Sequence, residues 1–165
     1  MKSIEEINQL NKLDFLTIFG NVFEKTEWIA EKVFELKPFV SFDNLNIKIL
    51  KIYEGCDKNN IYKILKSHPD LVVEKKLTKE SNKEQASANL NDCTLEEFEE
   101  FKKLNNQYKK KFNFPFIIAV SGKSKSKILK MFRNRINNSI DQEFEEAKQQ
   151  VKQIAIIRLN NIINN

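Results

Sequence analysis

The sequence is poor in the two residues that most often interrupt helices. It contains 3 glycines and 3 prolines among 165 residues. A fold made of many short strands needs frequent tight turns, and most tight turns favour glycine or proline. The long stretches between the prolines are instead rich in Lys, Glu, Leu and Ile. The composition therefore excludes a turn-rich β fold and predicts an all-α fold.

Cysteine and histidine are also scarce. The two cysteines, Cys56 and Cys93, form no C-x-x-C pair, and the single histidine, His68, cannot complete a zinc site with them. We therefore expect no metal and a reducing compartment. No apolar run approaches the roughly 20 residues of a membrane span, and the start of the chain lacks the apolar core of a signal peptide. We expect a soluble protein in the cytosol, with no membrane partner.

Acidic residues are missing from one long stretch. The formal net charge is +5, and no Asp or Glu occurs between Lys102 and Arg135. Clustered lysines release counterions from a phosphate backbone, so such a block is a hint of nucleic-acid binding. It is equally compatible with an enzyme that acts on an anionic metabolite. A solvated face is the commonest explanation of a charge run, and we do not expect a nucleic-acid partner.

The residues that are abundant predict a helical domain with a real core. Hydrophobic residues make up 41% of the chain, and its length suits one domain over residues 1–165. Ser/Thr-x-x-Glu motifs, which are typical of helix starts, begin at Ser3, Ser81 and Thr94. Apolar residues three or four apart predict helical segments near residues 3–19, 27–37, 43–54, 57–66, 82–90, 95–112, 124–136 and 141–163. The predicted architecture is a multi-helix bundle.

One segment, NFPFIIAV at residues 113–120, breaks the helical pattern. Pro115 and the β-branched residues predict an extended chain that is buried, and Gly122 ends it. A buried extended segment in an all-α domain must find partners for its backbone N–H and C=O groups. Neighbouring side chains and a bound ligand are the two alternatives.

The only histidine and a Glu-Gln pair lie close together, between Ser67 and Gln85. His68 precedes Pro69, and because the residue before a proline avoids the α conformation, a helix should end at a bend there. The motif Ser81-x-x-Glu84 predicts a capping box that puts Glu84 in the first turn of the next helix. An imidazole and a carboxylate at helix ends are suited to proton transfer. A structural histidine and a simple helix cap are the alternatives.

Arg158 occupies an unexpected position in the last helix. Its neighbours on the apolar face succeed one another by threes and fours: Ile140, Phe144, Ala147, Val151, Ile154 and Ile162. A guanidinium keeps its proton, so a buried Arg158 needs either a carboxylate of the protein or a bound anion. The alternative is that the side chain extends along the surface and reaches water.

Four separated motifs resemble the 2-oxo-4-hydroxy-4-carboxy-5-ureidoimidazoline (OHCU) decarboxylase family. They are SHPDL (67–71), LTKESNKEQASANL (77–90), LEEFEEFKKLNNQYKKKFNFPFIIAVSGKSK (95–125) and IAIIRLNNI (154–162). The resemblance covers nearly the whole chain. It implies an all-helical, usually homodimeric enzyme that converts OHCU to (S)-allantoin, the last step of urate oxidation, without a metal or organic cofactor.

The resemblance also implies roles for individual residues. His68 and Glu84 would be catalytic. The substrate-binding set would be Pro69, which shapes the pocket, together with Ser81, Gln85, Arg158 and the backbone of Ile117, Ile118 and Ala119. The chain departs from the family pattern at Val72 and Val73, where relatives usually have small residues. It departs again at Asn113, where a glycine is frequent.

Two rival functions and the compartment stay open at this stage. A basic helical module that binds nucleic acid or an acidic protein through residues 102–135 predicts binding that weakens with salt and survives mutation of His68. A helical relative without activity is the other rival, and the retention of His68, Glu84, Gln85 and Arg158 together argues against it. Relatives can be peroxisomal, but the chain ends Ile-Ile-Asn-Asn without a Ser-Lys-Leu type address, which favours the cytosol.

Overall fold

A computed structural model describes residues 3–72 and 77–164, and every regular element in this part is a helix. The helices are α1 (Ile4–Gln9), α2 (Lys12–Phe19), α3 (Glu27–Phe34), α4 (Phe42–Glu54), α5 (Lys58–Ser67), α6 (Lys79–Ser87), α7 (Leu95–Phe112), α8 (Lys125–Arg135) and α9 (Ile140–Asn164). The predicted all-α fold is confirmed. The predicted irregular connection from residue 71 to 77 lies partly outside the described residues.

The chain divides into two compact units. The terminal unit comprises Met1–Ser67 and Lys152–Asn165, and the central unit comprises His68–Val151. Helix α9 contributes its first half to the central unit and its second half to the terminal unit. That residues 1–165 form one domain stays a prediction.

Aromatic side chains fill the core of the terminal unit. Phe15 and Phe19 of α2 lie with their ring centroids 4.7 Å apart, and Phe23 stacks on Tyr53 of α4 at the same centroid distance. All four side chains are buried. The capping box at Ser3 is confirmed, since its hydroxyl accepts from the N–H of Glu6 while the Glu6 side chain accepts from the N–H of Ser3.

The core of the central unit is built around Tyr108 of α7. Its ring contacts those of Phe112, Phe116 and Phe132, with centroids 4.5, 5.4 and 5.7 Å away. The capping box at Thr94 is confirmed, and α7 runs to Phe112 as predicted. Ser124 caps α8, which is also as predicted.

Four apolar positions that the helical pattern assigned to the core are exposed, and two of them are Leu13, at 75%, and Leu36, at 43%. Leu95 is 78% exposed and Ile140 is 53% exposed. Each is the first residue of its helix, α7 and α9 respectively. A helical side chain points back over the preceding turn, and a first residue has no preceding turn of its own helix to cover. Leu13 is the second residue of α2, and Leu36 lies beyond the end of α3. The assignment of all four residues to the core was wrong.

The predicted start of α6 was also wrong. The N-cap is Thr78, whose hydroxyl accepts from the N–H of Ser81, and the helix runs from Lys79 to Ser87. Ser81 is therefore the third helical residue, and Glu84 lies in the second turn. Thr78 offers the same capping hydroxyl three residues earlier, so the helix extends back by one turn.

The segment after α7 is buried and non-helical, as predicted. Asn113 ends α7 in the left-handed conformation at φ 63°, and residues 114–120 are all buried. Residues 115–120 lie outside helices and strands. Gly122, at φ 71°, then turns the chain toward α8.

Candidate active site

His68 is the first residue after α5. The helix ends at Ser67, and His68 lies in a bend before Pro69, which confirms the predicted helix end. The side chain of His68 is 9% exposed. The imidazole is therefore largely shielded from water at the start of a turn, residues 68–72, which we call the histidine turn.

Side chains from α6 and α7 hold the histidine turn. The Gln85 amide nitrogen donates to the carbonyl of Asp70 over 3.2 Å, and its amide oxygen accepts from the N–H of Val72 over 3.0 Å. The Asn105 amide donates to the carbonyl of Leu71 over 2.8 Å. Three consecutive residues after Pro69 are thus fixed by buried amide groups.

A charged contact and a strained residue complete the turn. The Asp70 carboxylate meets Lys109 Nζ at 2.5 Å, on the face of α7 that also carries Asn105 one turn earlier. Val72 has φ 53°, in the left-handed region. A side chain there costs about 1–2 kcal/mol, and a β-branched one is especially unfavourable. The turn is therefore held in a conformation that its own sequence does not favour.

Of the predicted α6 residues, Gln85 contacts this turn directly. Ser81 and Gln85 are buried, and Glu84 is half-buried. Glu84 lies in the second turn of α6, so its predicted placement in the first turn, next to the positive end of the helix dipole, was wrong. Gln85 uses both ends of its amide on the histidine turn. Its predicted contact with substrate would have to use the second N–H or the second oxygen lone pair, and stays a prediction.

Side chains hold three backbone groups of Ile117 and Ala119. Arg135 Nη1 donates to the carbonyl of Ile117 over 2.8 Å, and the N–H of Ala119 donates to Gln150 Oε1 over 2.9 Å. Lys123 Nζ donates to the carbonyl of Ala119 over 2.7 Å. Neighbouring side chains and a bound ligand were the two predicted sources of partners for this backbone. Side chains account for three of its groups. The N–H and C=O of buried Ile118 have no hydrogen-bond partner among the described residues.

A buried ionic cluster contacts the non-helical segment 113–120 through Arg135. Arg135 donates to Glu143 Oε1 from Nε at 2.9 Å and from Nη2 at 2.5 Å, and its guanidinium lies 4.4 Å from the centroid of the Phe116 ring. The Tyr108 hydroxyl also donates to Glu143. Burial, and then the negative charge of Glu143, raise the pKa of Tyr108, so this hydroxyl stays protonated.

The sequence did not single out this cluster. Arg135 is the last residue of α8 and Glu143 lies in the first turn of α9, where charged residues are expected at the surface. Asn138 Nδ2 donates to Glu143 Oε2 over 2.7 Å and satisfies the second carboxylate oxygen. The only available signal was the residue next to Glu143, Phe144, which starts the buried stripe.

Arg158 is buried in the terminal unit, with 4% exposure. Its Nη2 lies 2.9 Å from Glu24 Oε2, and Nη1 donates to the carbonyl of Asn21 over 2.9 Å. The prediction of a buried guanidinium opposite an anion is confirmed, and the anion is a carboxylate of the protein. The alternative of a side chain that reaches the surface was wrong. Contact of Arg158 with substrate stays a prediction.

The basic block is paired with carboxylates from earlier in the chain. Arg133 makes two bonds to Glu100, of 2.6 and 2.7 Å, and Lys125 lies 2.6 Å from Glu97. Lys109 pairs with Asp70 in the histidine turn. A run without acidic residues in sequence is thus partly neutralised in space, which favours a solvated, ion-paired face over a nucleic-acid surface.

The described part of the chain lacks both a metal-binding cluster and a membrane-spanning helix. It contains no group of three or more His, Cys, Asp and Glu side chains placed to hold a metal ion. None of the helices between residues 3–72 and 77–164 combines the length and the apolar character needed to cross a bilayer.

Known proteins resemble this chain over nearly its whole length. A family model described as OHCU decarboxylase matches residues 8–160. A uric acid degradation bifunctional protein of Bacillus sp. (strain TB-90) is 36% identical over 162 residues, which are 98% of this chain and 32% of that protein. The chain thus spans about a third of that relative. A 2-oxo-4-hydroxy-4-carboxy-5-ureidoimidazoline decarboxylase of Halalkalicoccus jeotgali is 34% identical over 160 residues, which are 97% of this chain and 91% of the relative.

Solved structures share the fold. A crystal structure of (S)-allantoin synthase superposes with a TM-score of 0.78 at 24% identity and covers 98% of this chain and 54% of that one. A crystal structure of OHCU decarboxylase in the presence of (S)-allantoin gives a TM-score of 0.73 at 20% identity, over 88% of this chain and 97% of that one. At these identities the likeness concerns the fold alone. The match of the family model and the coverage of the Halalkalicoccus relative decide the assignment: the chain belongs to the OHCU decarboxylase family.

Proposed function

We propose that the chain is a carboxy-lyase that converts OHCU to (S)-allantoin without a cofactor. The observation that carries the proposal is the link between the histidine turn and α6. Gln85 bonds to both Asp70 and Val72, so α6, which also carries Glu84, is fixed against the turn that presents His68. The two residues proposed as catalytic therefore belong to one hydrogen-bonded assembly, in a chain of this family.

The chemistry needs an electron sink and controlled protons. When the bond between the ring carbon and the carboxylate breaks, carbon dioxide leaves and its electron pair stays on the ring carbon. The neighbouring ring imine accepts that pair. The hydroxyl on the decarboxylated carbon gives up its proton and becomes the ring carbonyl, and a proton delivered to one face of the former imine carbon, which bears the ureido group, gives a single enantiomer. The protein therefore has to orient the carboxylate and move protons, which imidazole and carboxylate side chains do.

His68 is assigned to the start of the reaction. A shielded imidazole at the end of α5 can accept a hydrogen bond or a proton from the substrate hydroxyl and orient the leaving carboxylate. Glu84 is assigned to the substrate N–H groups and to the protonation step, with Gln85 beside it. The low exposure of His68 supports this assignment, because exclusion of water strengthens electrostatic contacts with an anionic substrate.

Further groups of the chain would bind the substrate. Ile118 offers a buried N–H and C=O that no described residue satisfies, between the carbonyl of Ile117 and the N–H of Ala119, which Arg135 and Gln150 hold. A planar ureido group presents both donors and acceptors and suits such a segment. Arg158 is proposed to bind a substrate oxygen through an N–H that Glu24 orients. We also propose a homodimer, on the basis of the family resemblance.

The test generates the unstable substrate in place. Urate is mixed with urate oxidase and hydroxyisourate hydrolase, the protein is added, and circular dichroism follows the formation of chiral allantoin. OHCU decays by itself to racemic product, so an optical signal reports catalysis. We expect a signal of the (S) hand that falls at least about 100-fold in His68→Ala and Glu84→Ala, as expected for lost acid–base catalysis. Wild-type rates in both variants, or no signal from folded wild-type protein, would contradict the proposal.

A further inference from the structure

The apolar face of α7 carries one buried amide. Asn105 is 4% exposed and follows the buried Leu104 on the face that also presents Phe101 and Tyr108. Its Nδ2 donates to the carbonyl of Leu71 over 2.8 Å. Its Oδ1 is buried and has no hydrogen-bond partner among the described residues. Because a carbonyl can only accept, this contact also fixes which end of the amide faces the turn.

An asparagine is an unfavourable residue for this position unless it is needed. A buried oxygen without a hydrogen bond destabilises the fold by about 1–3 kcal/mol, whereas a leucine of similar size would pack without that loss. The described contact that balances it is the bond to Leu71, which lies in the histidine turn. The buried oxygen of Asn105 therefore lowers stability, while the N–H donor of the same amide holds the histidine turn.

The bond lies close enough to His68 to fix its position. Only Pro69 and Asp70 separate His68 from Leu71, and the proline ring fixes its own φ. Gln85 holds the residues on either side of Leu71, Asp70 and Val72. Loss of the Leu71 bond would leave a buried carbonyl unsatisfied in the middle of a turn that is already strained at Val72, so the turn would shift.

We propose that Asn105 is a positioning residue for His68, which acts by hydrogen-bonding the carbonyl of Leu71. The expected fall in kcat rests on the proposed function. The expected change in the position of the His68 imidazole rests on the structure alone. Asn105 needs no contact with the substrate in this role.

The first test replaces the donor without changing the shape. Asn105→Asp puts an acceptor oxygen opposite the Leu71 carbonyl, and we expect kcat to fall about 10- to 100-fold, as for a misplacement of about 1 Å. KM should change little, because the interaction lost is orientation of the reacting groups. The matched control is Asn46→Asp in α4 of the terminal unit, where Oδ1 is likewise buried without a described partner. It should keep the wild-type kcat.

A pH series separates the donor from the fold. A buried carboxyl next to a carbonyl has a raised pKa, and once protonated its O–H can donate to Leu71 as the amide did. The kcat of Asn105→Asp, divided by that of wild type at the same pH, should therefore rise as the pH falls. The helical circular dichroism signal is recorded at each pH to confirm that the protein stays folded. A ratio that stays constant while the protein is folded would count against the donor role.

The decisive readout does not depend on activity. The chain has one histidine, so the imidazole of untagged protein gives a single set of resonances in NMR spectra of protein labelled at histidine. We expect these resonances to move in Asn105→Asp and to stay in place in Asn46→Asp. If Asn105→Asp does not fold, Asn105→Ala, which also removes the donor, takes its place at a temperature where its helix content is native.

The outcomes distinguish the two proposals. Folded Asn105 variants with wild-type kcat and unmoved His68 resonances would overturn the positioning role and leave the proposed function intact. Wild-type protein without activity would overturn the proposed function. In that case movement of the His68 resonances would still support the contact between Asn105 and the histidine turn, and unmoved resonances would overturn it.

Discussion

Each unit contains a buried arginine–glutamate pair, and α9 supplies one member of both. In the terminal unit Arg158 of α9 pairs with Glu24, and in the central unit Glu143 of α9 pairs with Arg135. Glu143 and Arg135 belong to a wider network that includes Tyr108, while Arg158 adds the backbone carbonyl of Asn21. The burial of an arginine therefore does not distinguish a structural role from a binding role. The groups that contact the arginine distinguish the two roles.

The difference between the pairs lies in what each arginine holds. Arg135 is bonded to the carbonyl of Ile117 and stacked on Phe116, so its pair supports the non-helical segment. Arg158 bonds to residues in the loop after α2, and Glu24 is completely buried beneath it. We therefore expect loss of the central pair to affect mainly stability, and loss of the terminal pair to affect stability and substrate affinity together.

The largest effect is expected for Glu143→Gln. The substitution leaves the Arg135 guanidinium buried without a counter-charge and weakens the bond from Tyr108, so the free energy of unfolding should fall by about 3–5 kcal/mol. Urea denaturation followed by circular dichroism measures it. Glu145→Gln, an exposed site two residues later in α9, is the control and should change little. Equal urea midpoints for Glu143→Gln and Glu145→Gln would show that the cluster does not stabilise the central unit.

Glu24→Gln should have a smaller effect on stability. Arg158 is left buried without a counter-charge, as Arg135 would be, but Glu143 also accepts bonds from Tyr108 and Asn138. We therefore expect a loss of about 3 kcal/mol for Glu24→Gln, at the low end of the range for a broken buried pair. KM should rise in the allantoin assay, because Glu24 orients the guanidinium that we propose binds substrate.

The matched control for this variant is Glu35→Gln, at an exposed residue that ends α3. An unchanged KM in Glu24→Gln would indicate that Arg158 is as purely structural as Arg135. A loss of stability equal to that of Glu143→Gln would remove the distinction between the two buried pairs.

The smallest effect is expected for an exposed pair of the central unit. The bond from Arg133 lowers the pKa of Glu100, and a bond from Lys125 lowers that of Glu97. A lowered carboxyl pKa in the folded state adds stability above the unfolded value of 4.5, and this stability is lost as the pH falls through the lowered folded value.

Wild type should therefore lose stability on acidification below about pH 4.5, as its paired carboxylates take up protons. Glu100→Gln should lose less over that range, with nearly unchanged stability at pH 7 because surface pairs contribute little. Thermal unfolding at a series of pH values measures both. If Glu100→Gln lost as much stability at pH 7 as Glu24→Gln, the exposed pair would contribute as much to stability as a buried pair.

The sequence was sufficient where a local rule decides the structure. The capping hydroxyls of Ser3, Thr94 and Ser124 each start a helix as predicted, and α4 ends at Glu54, the predicted end of the segment 43–54. The rule failed at α6, because Thr78 and Ser81 offer equivalent caps and periodicity does not rank them. For such competing caps, the packing of the helix decides.

The contacts that define the candidate site could not be read from local rules. Asn105 meets Leu71 at a separation of 34 residues, and Tyr108 meets Glu143 at a separation of 35. Arg158 was identified because it interrupts a long regular stripe. Asn105 lies beside the stripe of α7, which Phe101, Leu104 and Tyr108 continue without a break, and an amide is a weaker anomaly than a charge.

Two of the three departures from the family pattern fall where the backbone is left-handed, and the third, Val73, lies outside the described residues. Val72 has φ 53° and Asn113 has φ 63°. Glycine adopts such angles without a steric penalty, which gives a physical reason for small residues at these positions in the family. Asparagine tolerates the conformation and valine does not. The sequence thus marked both positions, and the structure shows that only Val72 stores strain.

The bond between Val72 and Gln85 makes the histidine turn observable by amide hydrogen exchange. The N–H of Val72 is protected by a side chain, whereas most protected amides here lie in helices and exchange when a helix unfolds. Its exchange rate therefore reports separation of the turn from α6 while the helices stay intact. A binding event that closes the turn would slow this one proton, with the helical amides serving as the internal reference.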